Sequence, residues 1–177
     1  QYAASFGGIN SIRFGERGVS VEPIEIENDL ASRVSSNFTL VFTGLTRSAS
    51  KVLSEESEDE QDKTSRMRVI REHADKAATM FQQGDLDPIG DLLNETWNAK
   101  RGISSLITNQ SIDELHGKVM SSGAKGAKLL GAGNGGFLLV YGDSSLRETL
   151  HSELGPEYRM FPLEIDFSGS VIIHGNS

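Results

Sequence analysis

Cysteine is absent from the 177 residues, which excludes disulfide bonds and metal sites with thiolate ligands. Long apolar runs are absent as well. No stretch approaches the roughly 20 residues that cross a bilayer, so we expect no membrane partner. The absence of cysteine is compatible with a reducing compartment, and we expect a cytoplasmic protein. A composition of 37% hydrophobic and 24% charged residues remains, which suits a globular chain with a sizeable core.

Positive charge and histidine are also scarce. The sequence has 17 Lys and Arg against 25 Asp and Glu, a net charge of −8. Non-specific nucleic-acid binding requires a basic face, so we expect no nucleic-acid partner. A phosphate site would have to be a local positive patch on an acidic protein. The four histidines (His73, His116, His151 and His174) are scattered without the spacing of metal ligands, so we expect no metal site.

Glycine, in contrast, is concentrated in one stretch, residues 123–136, where six of the 14 residues are glycine. The apolar run Phe137–Tyr141 follows and is typical of a buried strand. Clustered glycines allow positive φ angles and bring backbone N–H groups close to a ligand, as in phosphate-binding loops. A tight turn between two core strands is the alternative interpretation.

The same stretch contains the pattern G-x-G-x-x-G, at Gly131, Gly133 and Gly136. In dinucleotide-binding folds this pattern follows a strand and opens a helix, because the pyrophosphate lies at the helix N-terminus. Here a strand-like run follows the glycines instead. The sequence therefore excludes a dinucleotide-binding fold.

The periodicity of the chain predicts alternating strands and helices. We expect a hairpin of two strands, 9–14 and 19–26, a polar connector over 28–37, and further strands over 38–44, 136–141, 158–166 and 170–174. We expect helices from near Ser48, over 63–83, from the pair Asp87-Pro88 with an apolar stripe that continues to Ile107, over 112–121 behind a capping box at Ser111, and over 144–153. Without long parallel crossovers, this order favours an α+β fold, an antiparallel sheet backed by helices.

Three cations are candidate anion ligands. Lys100 lies in the apolar stripe of its helix, one turn after Trp97, so its amine must either reach solvent or find an anion. Trp97 itself is typical of core. Arg47 follows a strand and suits phosphate geometry, or is a solvated arginine. Lys128, before the glycines, adds charge to that loop or is a surface lysine.

The stretch Gly126–Phe137 closely resembles the third conserved motif of the GHMP kinases, the superfamily of galactokinase, homoserine kinase and mevalonate kinase. In that family the loop lies between two domains, beside the phosphoryl groups. Asn134 departs from the pattern, since many members have glycine there, but asparagine tolerates a left-handed backbone. The segment Trp97-x-x-Lys100-Arg101 is similar to one in bacterial heptose-phosphate kinases.

The resemblance implies a ferredoxin-like GHMP kinase C-terminal domain over residues 28–177. It also implies that residues 1–27 are a hairpin left from the N-terminal kinase domain, with the catalytic aspartate upstream of Gln1. The family's first two motifs do not occur in the sequence. We therefore expect no catalytic residue within these 177 residues, no transfer activity from them alone, and no bound ATP. ATP and Mg²⁺ would serve the full-length enzyme.

The resemblance also assigns site residues for an ATP-dependent sugar kinase, one that phosphorylates the anomeric hydroxyl of a heptose 7-phosphate. The phosphoryl groups would be held by Lys128, Gly131, Ala132, Gly133, Asn134, Gly135 and Gly136. The sugar or its phosphate would be held by Arg47, Lys100 and Arg101.

Two alternatives remain open. The acceptor could be another sugar, such as fucose, or the chain could be a non-catalytic binding or dimerisation module with the same fold. The hairpin would lack its host sheet, so we expect it to pair with a second copy in a homodimer, to lie across its own domain, or to be poorly ordered.

Overall fold

A computed structural model describes residues 1–45 and 60–173 of the chain. Its helices are α1 (Tyr2–Phe6), α2 (Asn28–Asn37), α3 (Glu60–Gln83), α4 (Ile89–Arg101), α5 (Gln110–Ser121) and α6 (Leu146–Leu154). Its strands are β1 (Ile9–Gly15), β2 (Gly18–Ile24), β3 (Phe38–Phe42), β4 (Gly126–Leu129), β5 (Phe137–Tyr141) and β6 (Met160–Pro162). No helix in the described ranges combines the length and the apolar character that crossing a membrane requires.

Four of the strands form one antiparallel sheet in the order β4-β5-β3-β6. Helices connect β3 to β4, a hairpin connects β4 to β5, and α6 connects β5 to β6. This β-α-β-β-α-β arrangement is the ferredoxin-like fold. The α+β prediction is confirmed.

The core is divided between the two faces of the sheet. On one face Val41, Leu138 and Val140 are fully buried with Trp97 of α4, helix α5 and helix α6. On the other face, residues of α2 and the start of α4 cover Phe38 and Tyr141 at one end of the central strands. The assignment of Trp97 to the core is confirmed, since 1% of its surface is exposed.

Helix α4 packs on β4 through Gly90, Gly126 and the side-chain amide of Asn94. A Cβ at Gly126 would lie 2.1 Å from the Gly90 carbonyl oxygen, so helix and strand meet backbone to backbone. Asn94 donates to the Lys125 carbonyl at 3.0 Å and accepts from the Ala127 amide at 3.1 Å. The Asn94 side chain thus pairs with β4 as a neighbouring strand would, and it fixes α4 along that edge.

The hairpin prediction is confirmed. Strands β1 and β2 pair from Ile9 opposite Ile24 to Gly15 opposite Gly18, and Arg13 forms an ion pair with Asp75 of α3 at 2.8 Å. A cavity of about 1060 Å³ separates the hairpin from α3. Within the chain, the hairpin contacts α3, and its pairing with a second copy stays a prediction.

Residues 28–37 form helix α2, so the predicted polar connector is wrong. Leu30 and Val34 are one turn apart, and both are buried against Phe38. Three apolar residues among ten, one of them only an alanine, are a weak signal of a helix. The helix is stabilised by packing rather than by its own propensity.

Other boundaries also differ from the sequence predictions. Helix α5 is capped by Asn109, which accepts from the Ile112 amide at 3.1 Å, and not by Ser111. Helix α4 begins at Ile89 without a side-chain cap from Asp87, and it ends at Arg101, so the predicted stripe stops short of Ile107.

The strand predictions fail at three places. Strand β4 was missed, because it has only four residues, begins at Gly126 and lies between two further glycines, Gly123 and Gly131. Strand β6 covers three residues only, and residues 170–173 contain no strand. The predicted helix near Ser48 lies outside the described residues.

Candidate functional site

The glycine loop, residues 131–136, connects β4 to β5. Its base is closed by the Leu130 amide, which donates to the Phe137 carbonyl at 2.9 Å. Positive φ angles occur at Gly131, Gly133, Asn134, Gly135 and Gly136. Asn134 has φ 58°, as expected for an asparagine in the left-handed region. This backbone path is accessible to few sequences, because other L-residues are strained there.

Main-chain hydrogen bonds pin the loop at its middle and its end. The Asn134 amide donates to the Ile107 carbonyl at 2.7 Å, and the Gly136 amide donates to the Leu45 carbonyl at 2.9 Å. The Gly136 carbonyl in turn accepts from the Thr43 amide at 2.9 Å. The loop is therefore fixed to the segment that follows β3 and to the segment before α5.

Two of the six loop amides, those of Asn134 and Gly136, donate in these hydrogen bonds. The other four, at Gly131, Ala132, Gly133 and Gly135, have no hydrogen-bond acceptor in the part of the chain that the structure describes. Backbone N–H groups that lie close together and are held in place make a good anion site, because no reorganisation is needed when the anion arrives. The loop therefore combines a fixed backbone with free donors.

Lys100 anchors the first residue of the loop. Its Nζ donates to the carbonyl oxygens of Leu129 at 3.0 Å and Gly131 at 2.6 Å. The sequence predicted that this amine would reach solvent or bind an anion. In the structure it binds main-chain carbonyl oxygens instead. Burial, together with the neighbouring Lys128 charge, lowers the pKa of Lys100 from its ordinary value of 10.5 to about 8.

Lys128 is the second cation beside the loop. Burial lowers its pKa, and it has no hydrogen-bond or ion-pair partner within residues 1–45 and 60–173. Lys125 differs, because it is exposed and forms an ion pair with Asp143 at 2.6 Å. Lys100 and Lys128 together form a local positive patch on a chain of net charge −8.

Arg101 is engaged on the other side of α4. Its guanidinium forms an ion pair with Asp113 at 3.1 Å and lies 5.8 Å from the ring centroid of Trp97. The structure brings Lys100, Lys128 and the loop together, whereas Arg101 contacts α5. Arg47 lies outside the described residues. The substrate roles of these residues stay predictions.

Asn109 is a loop contact that sequence reasoning missed. Its Oδ1 caps α5, and its Nδ2 donates to Oδ1 of Asn134, which is buried. The side-chain amide of Asn109 therefore links the N-terminus of α5 to the glycine loop. An asparagine just before a helix was the available signal, but assigning the cap to Ser111 obscured it.

Lys100 gives a pH-dependent prediction. Below about pH 8 the amine is protonated in the folded and the unfolded chain. Between about 8 and 10.5 the folded chain has released this proton and the unfolded chain retains it, so the free energy of unfolding rises with pH. A neutral amine keeps two N–H groups for the two carbonyls. We expect a rise of about 1–2 kcal/mol, discounted for partial exposure, that Lys100→Met removes.

Denaturant titrations at pH 7.5 to 10.5 on both proteins measure this difference. Lys128→Met is the control, because it keeps the amine of Lys100 but removes the neighbouring charge, which moves the rise to higher pH. Parallel curves for the wild type and Lys100→Met would contradict the assignment.

Residues 77–157 match the family described as GHMP kinases C terminal. The chain is 30% identical over 160 residues to the D-glycero-alpha-D-manno-heptose 7-phosphate kinase of Campylobacter jejuni, covering 89% of this chain and 47% of that protein. It is 26% identical over 144 residues to the bifunctional fucokinase/GDP-fucose pyrophosphorylase of Arabidopsis thaliana, covering 79% of this chain and 13% of that protein.

Among solved structures, a D-glycero-D-manno-heptose 1-phosphate kinase from Bacteroides thetaiotaomicron has a similar fold. Its TM-score is 0.68 at 21% identity, covering 94% of this chain and 45% of that chain. The 177 residues thus span less than half the length of each of these relatives.

Proposed function

Because this chain belongs to the GHMP kinase superfamily through its C-terminal domain, we propose that it is the C-terminal part of an ATP-dependent sugar kinase. The kinase relatives support the activity. The whole enzyme transfers the γ-phosphoryl group of ATP to a sugar hydroxyl. In such transfers a protein contributes positioning and charge stabilisation more than covalent chemistry.

One observation carries the proposal: a fixed glycine loop lies beside two partly buried lysines, and four of its amides have no acceptor among residues 1–45 and 60–173. Charge accumulates on phosphoryl oxygens during transfer, and preorganised donors at that position lower the barrier. Lys128 supplies charge to those oxygens. Lys100 holds the Gly131 carbonyl and so keeps the loop in place while adding to the local positive potential.

The acceptor we propose is the anomeric hydroxyl of a heptose 7-phosphate. The Campylobacter relative is named as a kinase of that sugar phosphate, and a second phosphate group requires cations beyond the loop. We assign that role to Arg47, Lys100 and Arg101. Fucose is the second candidate acceptor, supported by the Arabidopsis relative.

The missing half of the enzyme completes the site in this proposal. Within the described ranges no group of three His, Asp or Glu side chains could hold a metal ion. As the family resemblance implies, we place the ligands of the ATP-bound Mg²⁺, and the catalytic aspartate, in the N-terminal half. The hairpin, residues 1–27, belongs to that half as well. These 177 residues alone bind ATP weakly and transfer no phosphate.

A phosphoryl-transfer assay on the full-length protein tests the function. With ATP, we expect turnover of heptose 7-phosphate well above that of plain heptose and of fucose. Lys128→Met should lower kcat by about 100-fold, the typical cost of losing one group that stabilises developing charge. Lys125→Met is the matched control, because that lysine is paired with Asp143 at the surface, and it should leave kcat unchanged. No transfer to any sugar, or equal losses in the two variants, would overturn the proposal.

A further inference from the structure

Lys128 lies on the face of the sheet that α2 and the start of α4 cover only in part. Its neighbours in β4, Ala127 and Leu129, are fully buried on the opposite face, and successive side chains of a strand point to opposite faces. Lys128 is therefore on the same face as Leu139, its partner residue on β5. An apolar neighbour beside the lysine stem explains why this charged residue is half-buried.

The amine of Lys128 lies near that of Lys100, at the start of the glycine loop. The Lys128 charge contributes to the lowered pKa of Lys100, and the Lys100 amine binds the Gly131 carbonyl. Among the residues that the structure describes, no ion pair includes Lys128. Burial lowers its pKa. A larger share of this amine than of an ordinary lysine is therefore neutral, and a neutral amine is a nucleophile.

Lys125 and Lys100 do not combine these properties. Lys125 is exposed, and its hydrogen bond and ion pair with Asp143 raise its pKa, so its amine stays protonated. Lys100 has a lowered pKa, but its amine donates to two carbonyl oxygens. A new bond to that nitrogen would disrupt the contacts that fix the loop. Lys128 is therefore the nucleophilic amine beside the glycine loop.

The glycine loop favours one class of electrophile for this amine. Four loop amides have no acceptor within residues 1–45 and 60–173, and such amides suit a phosphate group. A sugar phosphate with an unsubstituted anomeric carbon opens to an aldehyde, and aldehydes condense with neutral lysine amines. A molecule that carries both groups would be held by its phosphate with its aldehyde close to Lys128.

We propose that Lys128 is a glycation site for reducing sugar phosphates when no ATP occupies the loop. The Nζ lone pair attacks the aldehyde carbon, and loss of one water molecule leaves an imine. The C2–H and hydroxyl protons of the sugar then move to C1 and to the nitrogen, which gives a stable ketoamine. Neither step needs an oxidant or a reductant. This inference rests on the proposed function, because it places a phosphate group on the glycine loop.

The chemistry separates the acceptor of the proposed reaction from its product. A heptose 7-phosphate has an unsubstituted anomeric carbon and can open to the aldehyde. The product carries a phosphate on its anomeric oxygen, which keeps the ring closed. The acceptor therefore modifies Lys128 and the product does not. ATP protects the lysine, because its phosphates occupy the same amides.

The experiment uses the full-length protein without nucleotide at neutral pH, with cyanoborohydride to reduce the imine to a stable amine. Its probes are glucose 6-phosphate, glucose, which lacks the phosphate, and glucose 1-phosphate, which lacks the aldehyde. Peptide mass spectrometry measures the adduct at each lysine. With glucose 6-phosphate we expect Lys128 to react at least about tenfold faster than Lys125 and at least about tenfold faster than with glucose. Glucose 1-phosphate should give no adduct, and ATP should slow the reaction.

Three variants separate the amine from the loop. Lys128→Arg keeps the positive charge but lacks the nucleophilic amine, so the adduct at this position should disappear. Lys125→Arg is the matched control, and it should keep the adduct at Lys128. Gly133→Ala forces the loop away from the Ile107 carbonyl, so the rate with glucose 6-phosphate should fall to that with glucose.

The outcomes distinguish this inference from the proposed function. An active kinase in which Lys128 reacts no faster than Lys125 overturns the glycation site alone. Preferential reaction of Lys128 in a protein that phosphorylates no sugar supports the glycation site and overturns the kinase assignment. Equal rates with glucose 6-phosphate and glucose would mean that the loop does not hold the phosphate, and the inference would be wrong.

Discussion

Alanine at Gly133 is expected to lower kcat/KM of the full-length kinase by about 100-fold. A Cβ at this position would lie 2.7 Å from the Ile107 carbonyl oxygen, the same oxygen that accepts from the Asn134 amide. The loop must therefore move away from its anchor. A displacement of about 1 Å in positioned catalytic groups is enough for a loss of this size. Steady-state kinetics with ATP and the preferred sugar measure it.

Gly136→Ala is the control for backbone strain. Its φ of 95° is close to the 119° of Gly133, but a Cβ at Gly136 would meet no atom within 4 Å. Both variants bear the strain of a positive φ, of order 1–3 kcal/mol, and only Gly133→Ala adds a clash with main chain. Equal losses of activity in the two variants would show that the Ile107 contact does not position the loop. Thermal melts check that both variants are folded.

The conformation of the glycine loop could be predicted from the sequence because its cause is local. Gly131, Gly133 and Gly136 permit angles that other residues avoid, and the apolar run after them is long enough to identify β5. The prediction that Asn134 would accept a left-handed backbone is confirmed for the same reason. The backbone preference of a residue can be predicted without knowing its contacts with distant parts of the chain.

What holds the loop could not be predicted, because it depends on residues far away in the chain. Ile107 was read as part of a helical stripe, yet its carbonyl is the acceptor for Asn134. Lys100 was expected to find solvent or an anion, and it binds two carbonyls 29 and 31 residues further on. Periodicity identifies which side chains are buried, but it does not identify the partners of main-chain groups.

Helix α2 shows the same limit in the fold. Its polar composition favoured a connector, and contact with Phe38 and with the start of α4 makes it a helix. Strand β4 was not predicted, because the glycines in and around it are typical of a loop. One of them, Gly126, is there for a tertiary reason, because α4 approaches the strand too closely for a side chain.

Alanine at Gly126 is therefore expected to destabilise the chain by about 3 kcal/mol, at the upper end of overpacking costs. The new methyl group would lie 2.1 Å from the Gly90 carbonyl oxygen and 2.6 Å from its carbon, and main-chain atoms cannot rotate away as a side chain can. Helix α4 must separate from β4, which weakens both Asn94 hydrogen bonds and withdraws Lys100 from the loop. Urea unfolding at neutral pH measures the loss of stability.

Gly117→Ala is the matched control, because it adds the same methyl group where nothing lies within 4 Å. Gly117 is exposed within α5, and alanine there should stabilise the chain by about 0.5–1 kcal/mol through helix propensity. Opposite signs for one identical chemical change would locate the effect in the contact between α4 and β4. Hydrogen exchange adds a second measurement, since the amides of the glycine loop should exchange faster in Gly126→Ala only. A Gly126→Ala protein as stable as the wild type would mean that α4 does not hold the loop through this contact.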